Sequence, residues 1–157
     1  MVHQSLGVHS LDHFALAVPD LGVARDFYET FGLDARDDGD RLELRVHGNP
    51  HCWGIVVKGE AKRLHHLSFG AWPQDIPHFE RRLAEMGIAH CPAPDGFAGE
   101  GLWLRGPDEV LIQIRAAAKT SAEGKSSTAP AIVAAGARGA AMGSASVALV
   151  RPRRLSH

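Results

Sequence analysis

The sequence predicts an α+β fold: two tandem βαβββ modules forming one curved mixed sheet, a cup with its helices outside, followed by a low-complexity tail. Two observations predict it. The first is an internal repeat. Ser10-Leu11-Asp12-His13-Phe14-Ala15-Leu16-Ala17 answers to Arg63-Leu64-His65-His66-Leu67-Ser68-Phe69-Gly70, which matches His13 with His66. Farther on, Phe31-Gly32-Leu33 answers to Met86-Gly87-Ile88, Leu42-Glu43-Leu44-Arg45 to Leu102-Trp103-Leu104-Arg105, and Ile55-Val56-Val57-Lys58 to Ile112-Gln113-Ile114-Arg115. Loop insertions account for the small drift in spacing, and self-similarity of this kind fixes an architecture before any single element is read. The second observation is that each half shows the same order of signals, one strand, one helix and three extended pieces.

The first strand runs over about 11–18 and stops at Pro19. Asp20 suits the N-cap of a following helix, because its carboxylate can accept from the free amides of the first turn. Leu21, Ala24, Phe27, Tyr28 and Phe31 form an apolar stripe at helical spacing, and Gly32 suits the left-handed residue that closes such a helix. Extended pieces follow near 33–37, 41–47 and 52–59, separated by Asp37-Asp38-Gly39-Asp40 and Gly48-Asn49-Pro50 as turns. The second half predicts a strand over 63–71 and a helix over 76–86, with Asp75 as cap, Pro77 in the first turn and Gly87 at the end. Its extended pieces fall near 88–92, 100–105 and 109–116.

After Ala118 the composition changes. Residues 118–150 are mostly Ala, Gly, Ser and Thr with no aromatic side chain, too little apolar surface to offset the entropy of ordering. This stretch reads as a linker or disordered tail. Arg151-Pro152-Arg153-Arg154-Leu155-Ser156-His157 then looks like a fresh start, since Leu155-Ser156-His157 repeats the pattern of Leu11-Asp12-His13. The expected organisation is one domain over 1–117, a connector over 118–150, and at 151–157 the beginning of a second similar domain, which makes the sequence the front part of a longer protein.

The formal net charge is −1 and the sequence pI about 6.8, which gives no basic footprint for nucleic acid. No apolar run approaches the roughly 20 residues a membrane span needs, and Met1-Val2-His3-Gln4 lacks a signal peptide's charged and apolar regions. Cys52 and Cys91 show no CxxC spacing and read as reduced thiols of a cytoplasmic protein, with a single disulfide left open.

A strand sends alternate side chains to one face, so His13, Ala15 and Ala17 share a face, as do His66, Ser68 and Gly70. Small neighbours beside each histidine suit a cavity floor. Packing the halves about a pseudo-twofold axis adds Val56 and Gln113 from the equivalent last strands, and Trp53 and Trp103 read as core or cavity wall. The candidate metal set is therefore His13, His66 and Gln113, with Val56, Trp53, Trp103 and Ser68 lining a substrate cavity. Two histidines and a carboxylate make the facial site of non-haem iron oxygenases. Here an amide stands in the third place and an apolar valine in the fourth, so a divalent ion would be held weakly, and the site can equally be vestigial. His65 is expected to face away from His66. His47, His51 and Cys52 read as turn and strand-end residues, and Glu43 and Glu100 as solvated strand-edge carboxylates in preference to general bases.

The motifs Leu-Asp-His-Phe-Ala-Leu-Ala-Val-Pro-Asp (11–20), Ala-Arg-Asp-Phe-Tyr-Glu-Thr-Phe-Gly-Leu (24–33), Leu-His-His-Leu-Ser-Phe (64–69) and Gly-Pro-Asp-Glu-Val-Leu-Ile-Gln-Ile (106–114) resemble the vicinal oxygen chelate superfamily of glyoxalases, antibiotic-resistance proteins and type I extradiol dioxygenases. The resemblance covers about residues 10–117. The double-histidine strand and the restart at 153–157 look most like the N-terminal domain of a two-domain extradiol dioxygenase, whose catalytic iron sits in the second domain. That resemblance implies Fe(II) or Mn(II) in the parent enzyme, with no need for a metal in this part of it. It also implies a small aromatic, catechol-type substrate and a homo-oligomer, with neither nucleic acid nor membrane as partner. Its iron ligands map onto His13, His66 and Gln113, and His157 would match the first ligand of the second domain. Two other readings stay open: a stand-alone cup that sequesters a small apolar ligand, and a glyoxalase- or epimerase-like metalloenzyme using His13, His66 and Gln113 directly.

Overall fold

The computed structural model of the chain describes residues 6–120. His157, the restart at 151–157 and all but the first three residues of the expected connector lie outside the described residues. The first half comprises β1 (Ser10–Val18), α1 (Leu21–Thr30), β2 (Asp34–Asp38), β3 (Arg41–Arg45) and β4 (Cys52–Lys58). The second comprises β5 (Arg63–Ala71), a 3-10 turn (Pro73–Asp75), α2 (Ile76–Glu85), β6 (Leu102–Arg105) and β7 (Leu111–Ala116). The seven strands make one mixed sheet in the order β2-β3-β4-β1-β5-β7-β6, so the two halves meet at its centre, where β1 and β5 run antiparallel. On either side the pattern mirrors itself, with β4 parallel to β1 and β7 parallel to β5.

The helix signals act as the sequence suggests, with one difference. Asp20 caps α1, its Oδ1 accepting from the Val23 amide at 3.0 Å. Gly32 and Gly87, at φ 98° and 67°, close the two helices, and the following amides of Leu33 and Ile88 return to the carbonyls of Tyr28 and Leu83. Asp75 stands at the start of α2 without a side-chain cap bond. The preceding 3-10 turn has already brought its backbone to a helical φ of −87° and ψ of −20°, which is not the extended geometry a capping carboxylate uses.

The second half also lacks a counterpart of β2. The segment 88–92 forms no strand, and its one backbone bond to the sheet runs from the Cys91 amide to the Trp103 carbonyl at 2.8 Å. Pro92 and Pro94 have no N–H to give, so a ladder cannot propagate through this stretch. The freed chain becomes the loop that carries Phe97 over the cup.

Each helix covers its own core. Ala24 of α1 packs in a cluster with Leu33, Leu42, Leu44 and Val56, and Leu83 of α2 in another with Leu102, Leu104 and Ile114. The opposite face of the central strands carries the polar residues that sequence spacing singles out.

Candidate metal centre in the cup

Two irregularities in the β1–β5 pairing shape the site. The register passes from Leu11↔Phe69 to His13↔Ser68, leaving Asp12 as an extra residue, and from Ala15↔His66 to Leu16↔Leu64, leaving His65 as one. A bulge re-aims side chains that a regular strand would send to the far face. Asp12 and His65 occupy equivalent places in the repeat, each just before its central histidine, and each turns onto that neighbour. The Oδ2 of Asp12 lies 2.8 Å from His13 Nδ1, and His65 Nδ1 lies 2.9 Å from His66 Nδ1. The outer nitrogens of the central pair then meet, His13 Nε2 to His66 Nε2 at 3.3 Å. The expectation that His65 faces away from His66 is thus corrected by a bulge.

The contact with the carboxylate fixes one proton. An ionised carboxylate only accepts, so His13 carries its proton on Nδ1, facing Asp12. An arrangement in which His66 Nε2–H donates to His13 Nε2 and His65 Nδ1–H donates to His66 Nδ1 satisfies the remaining contacts. The four side chains make one continuous chain of donors and acceptors. Burial alone raises the Asp12 carboxyl, but the His13 hydrogen bond and the nearby charges of His13, Arg115 and His51 outweigh it and hold it below the usual carboxylate range. His66 is fully buried, and burial, followed by the charges of His13 and His65, pushes it down to about 3. His65 is lowered as well, by burial and by Arg63. The pair is walled by rings: Phe97 lies 4.7 Å and Trp103 4.9 Å from the His66 ring, both edge-on.

Beside the histidines, Ser68 pairs in register with both His13 and Gln113. Its hydroxyl donates to Gln113 Oε1 at 2.8 Å, while Gln113 Nε2 donates to the Glu100 carbonyl at 2.9 Å. Both ends of the amide are therefore engaged. Trp103 pairs with Gln113 from β6, its ring beside that of His66, and its buried indole N–H has no protein partner.

Two expected cavity residues lie elsewhere. Val56 is fully buried in the α1 cluster with Leu42 and Leu44, so it does not line the cup. Parallel pairing sets Ile55 beside Ala15, on the face that His13 shares. Trp53 joins the same α1 cluster, its ring 4.6 Å from that of His51, which itself hydrogen-bonds the Asp12 carbonyl. Glu43 pairs with Arg45, and Glu100 with Arg115, which holds both as ion-pair partners at the strand edges. Cys52 and Cys91 are free thiols, and burial pushes Cys52 up to about 11.

The geometry allows a test of fit to a metal. Two nitrogen ligands about 2.05 Å from a tetrahedral ion stand roughly 3.4 Å apart, close to the separation of the two Nε2 atoms. Asp12 on His13 Nδ1 has the arrangement of the outer carboxylates that orient ligating histidines. If both Nε2 atoms faced a cation, His66 would carry its proton on Nδ1 and donate it to His65. The set is otherwise poor. Among the described residues no group of three or more His, Cys, Asp or Glu could hold a metal ion, and Asp12 sits on the wrong nitrogen of His13 to join in. The residues suit two neutral ligands and supply no anionic one.

The comparisons with known proteins agree with this architecture. A model of the Glyoxalase/Bleomycin resistance protein/Dioxygenase superfamily matches residues 10–125. Metapyrocatechase 2 of Cupriavidus necator is 39% identical over 150 residues, covering 96% of this chain and 46% of that protein, so the chain spans about half the length of this relative. An extradiol ring-cleaving dioxygenase from B. fuscum superposes with a TM-score of 0.59 at 23% identity, over 74% of this chain and 34% of the other. A 2,3-dioxygenase from Pseudomonas sp. KL28 gives 0.60 at 21% identity, over 71% and 42%. The Mn(II)-bound glyoxalase of Novosphingobium aromaticivorans gives 0.56 at 19%, over 69% and 39%. At these identities the structural likenesses establish the fold alone, while the family match spans well over half of the sequence. The chain belongs to the glyoxalase/bleomycin resistance protein/dioxygenase superfamily and forms a dioxygenase-like domain of it.

Proposed function

We propose that residues 1–117 are the N-terminal, non-catalytic domain of a metal-dependent extradiol dioxygenase that cleaves catechol-type aromatics. The observation that carries this reading is the third ligand position. A working two-histidine site of this class needs a carboxylate to balance the ion's charge, and here stands Gln113, its amide committed to Ser68 and to the Glu100 carbonyl. The metapyrocatechase relative, about twice as long as the match, supports the view that a second domain follows, joined through 118–150, with His157 as the first ligand of its metal. When bound there, Fe(II) or Mn(II) would chelate vicinal oxygens and act as a Lewis acid toward them.

In this domain the buried histidine chain has a structural task. It closes the β1–β5 seam with satisfied hydrogen bonds, where unpaired polar groups would be costly. No described helix is long and apolar enough to cross a membrane, and the two free thiols suit a reducing compartment, which supports a cytoplasmic enzyme.

Oxygen uptake with catechol and alkylcatechols tests the division of roles. The 157-residue chain, supplied with Fe(II) under reducing conditions, is expected to consume no oxygen above background, and a longer chain with a second domain to turn over. Ring cleavage by the 157-residue chain alone would overturn it.

The 3.3 Å meeting of the two Nε2 atoms favours a second reading, a glyoxalase- or epimerase-like metalloenzyme in its own right. Stoichiometric Ni(II), Zn(II) or Mn(II) binding abolished by His66→Ala is the result that would favour it over the first.

A further inference from the structure

We propose that the far end of the cup, beyond the two central histidines, binds a hydroxylated aromatic carboxylate and needs no metal to do so. Its floor is one cross-strand row, Arg41↔Val57↔Ala17↔Arg63, running through β3, β4, β1 and β5. Residues paired in this way share a face of the sheet, so two small apolar side chains lie between two arginines. The bulge at His65 is what puts Arg63 there. In a regular strand Leu64 would share the face of His66. The extra residue reverses the alternation, which brings Arg63 onto the cup side and leaves Leu64 on the other, 40% exposed. Exposing a leucine to present an arginine is not what packing alone would select. Over this floor lies Phe97. Arg41 holds its loop, with Nη1 donating to the Gly96 carbonyl at 3.1 Å and the guanidinium 6.0 Å from the Phe97 ring centre, and the His65 ring packs 5.0 Å from it. Floor and roof bound a cavity of about 500 Å³, inside the roughly 300–1,000 Å³ range of small-molecule sites.

Charge selects the ligand. Arg41 is already committed, its Nε donating to Asp38 at 2.9 Å. Lys58 and Arg63 line the cavity without an ion pair among the described residues, and so do Asp40 and Asp95. Both carboxylates stand at the Arg41 end, Asp40 beside it in the chain and Asp95 beside the Gly96 that it holds. Arg63 stands three strands away in the sheet, roughly 14 Å off at the usual strand spacing. A ligand that satisfies both ends carries an anionic group for Arg63 and Lys58 and a hydrogen-bond donor for Asp40 and Asp95. Between them, Ala17 and Val57 below and Phe97 above leave a place for a flat apolar body. An aromatic ring with a carboxylate at one end and a hydroxyl at the other has this form, and a guanidinium matches a carboxylate bidentately. An inorganic anion would leave floor and roof unused, and an uncharged ring would leave Arg63 and Lys58 unused. None of His13, His66 and Gln113 lines the cavity, so the inference does not rest on the reading of the metal centre.

Isothermal titration of the 157-residue chain with 4-hydroxybenzoate, in a buffer whose chelator removes divalent ions, tests the proposal. One saturable site per chain is expected. Benzoate lacks the donor and phenol lacks the carboxylate, and each should bind at least roughly fivefold more weakly. Arg63→Gln should weaken 4-hydroxybenzoate at least roughly tenfold, as for a lost hydrogen bond between charged groups, and Lys58→Gln in the same direction. Lys62→Gln removes a neighbouring cation that lines the groove beside α1 and not this cavity, and should leave binding unchanged. All three positions are exposed, so far-UV circular dichroism and the thermal midpoint should stay as in wild type. No binding, equal affinity for the three compounds, or indifference to Arg63→Gln would each overturn the assignment. Binding that appears only when Fe(II) or Mn(II) is supplied would overturn it too, by moving the ligand to the histidine pair.

Discussion

Gln113→Glu is expected to raise the affinity of this domain for Fe(II), Mn(II) or Zn(II) by at least roughly tenfold, the most a single side chain could do to wake the site. The substitution supplies the carboxylate that turns His13 and His66 into a two-histidine, one-carboxylate set. It also carries a cost that makes the prediction sharper. Gln113 Nε2 now donates to the Glu100 carbonyl, and a carboxylate there would face that carbonyl with no proton to share. Leaving a buried acceptor unsatisfied costs about 1–3 kcal/mol, so the metal-free variant should unfold at a lower temperature than wild type. Added metal should then restore stability in the variant and leave wild type nearly unmoved, because only a folded site binds it. Isothermal titration and thermal unfolding with and without metal measure both halves. Equal affinities in the two proteins would mean that position 113 does not face the ion.

The second large effect is on the pH dependence of folding in the metal-free protein. His66 is held to about 3 by burial and by its histidine neighbours, whereas in the unfolded chain it has an ordinary imidazole pKa near 6.5. Between these values the unfolded state binds a proton that the folded state refuses, so stability rises with pH across the window and is lost on acidification below about 6.5. One such group contributes a slope of up to about 1.4 kcal/mol per pH unit. Asp12, lowered in the fold, adds a loss in the same direction at still lower pH, as the pH falls through the carboxylate range. Urea unfolding of wild type and His66→Gln from pH 7 to pH 4 should show the variant less stable at pH 7, with the difference shrinking steadily toward acid. Parallel curves would mean that His66 titrates in the folded state as it does when unfolded.

Much of this is legible in the sequence. The repeat located both central histidines, since a strand at the start of each half must place equivalent residues about the same axis, and the stops at Pro19, Gly32 and Gly87 bounded the helices through backbone rules that tertiary context seldom overrides. What failed did so through registry. A one-residue offset in matching β4 to β7 chose Val56 where Ile55 belongs, and in a strand an offset of one moves a side chain from the cup to the core. The bulges at Asp12 and His65 were equally invisible, because alternation assumes a regular ladder. Yet the adjacency of Asp12 to His13 is a usable signal, a carboxylate beside an imidazole being a pair that a bulge can join. Phe97 could not be placed at all. It reaches His66 from a proline-bounded loop, through a contact that neither periodicity nor spacing encodes.

The proposed separation of roles between this domain and a catalytic one rests on a site with two neutral ligands and no anionic one. The most direct test is elemental analysis of the purified 157-residue protein after anaerobic incubation with Fe(II), and then with Mn(II), Zn(II) and Ni(II), each followed by desalting. Far less than one ion per chain is expected for every metal. One tightly held ion per chain, lost in His66→Ala, would contradict it and make this domain a metalloenzyme centre of its own.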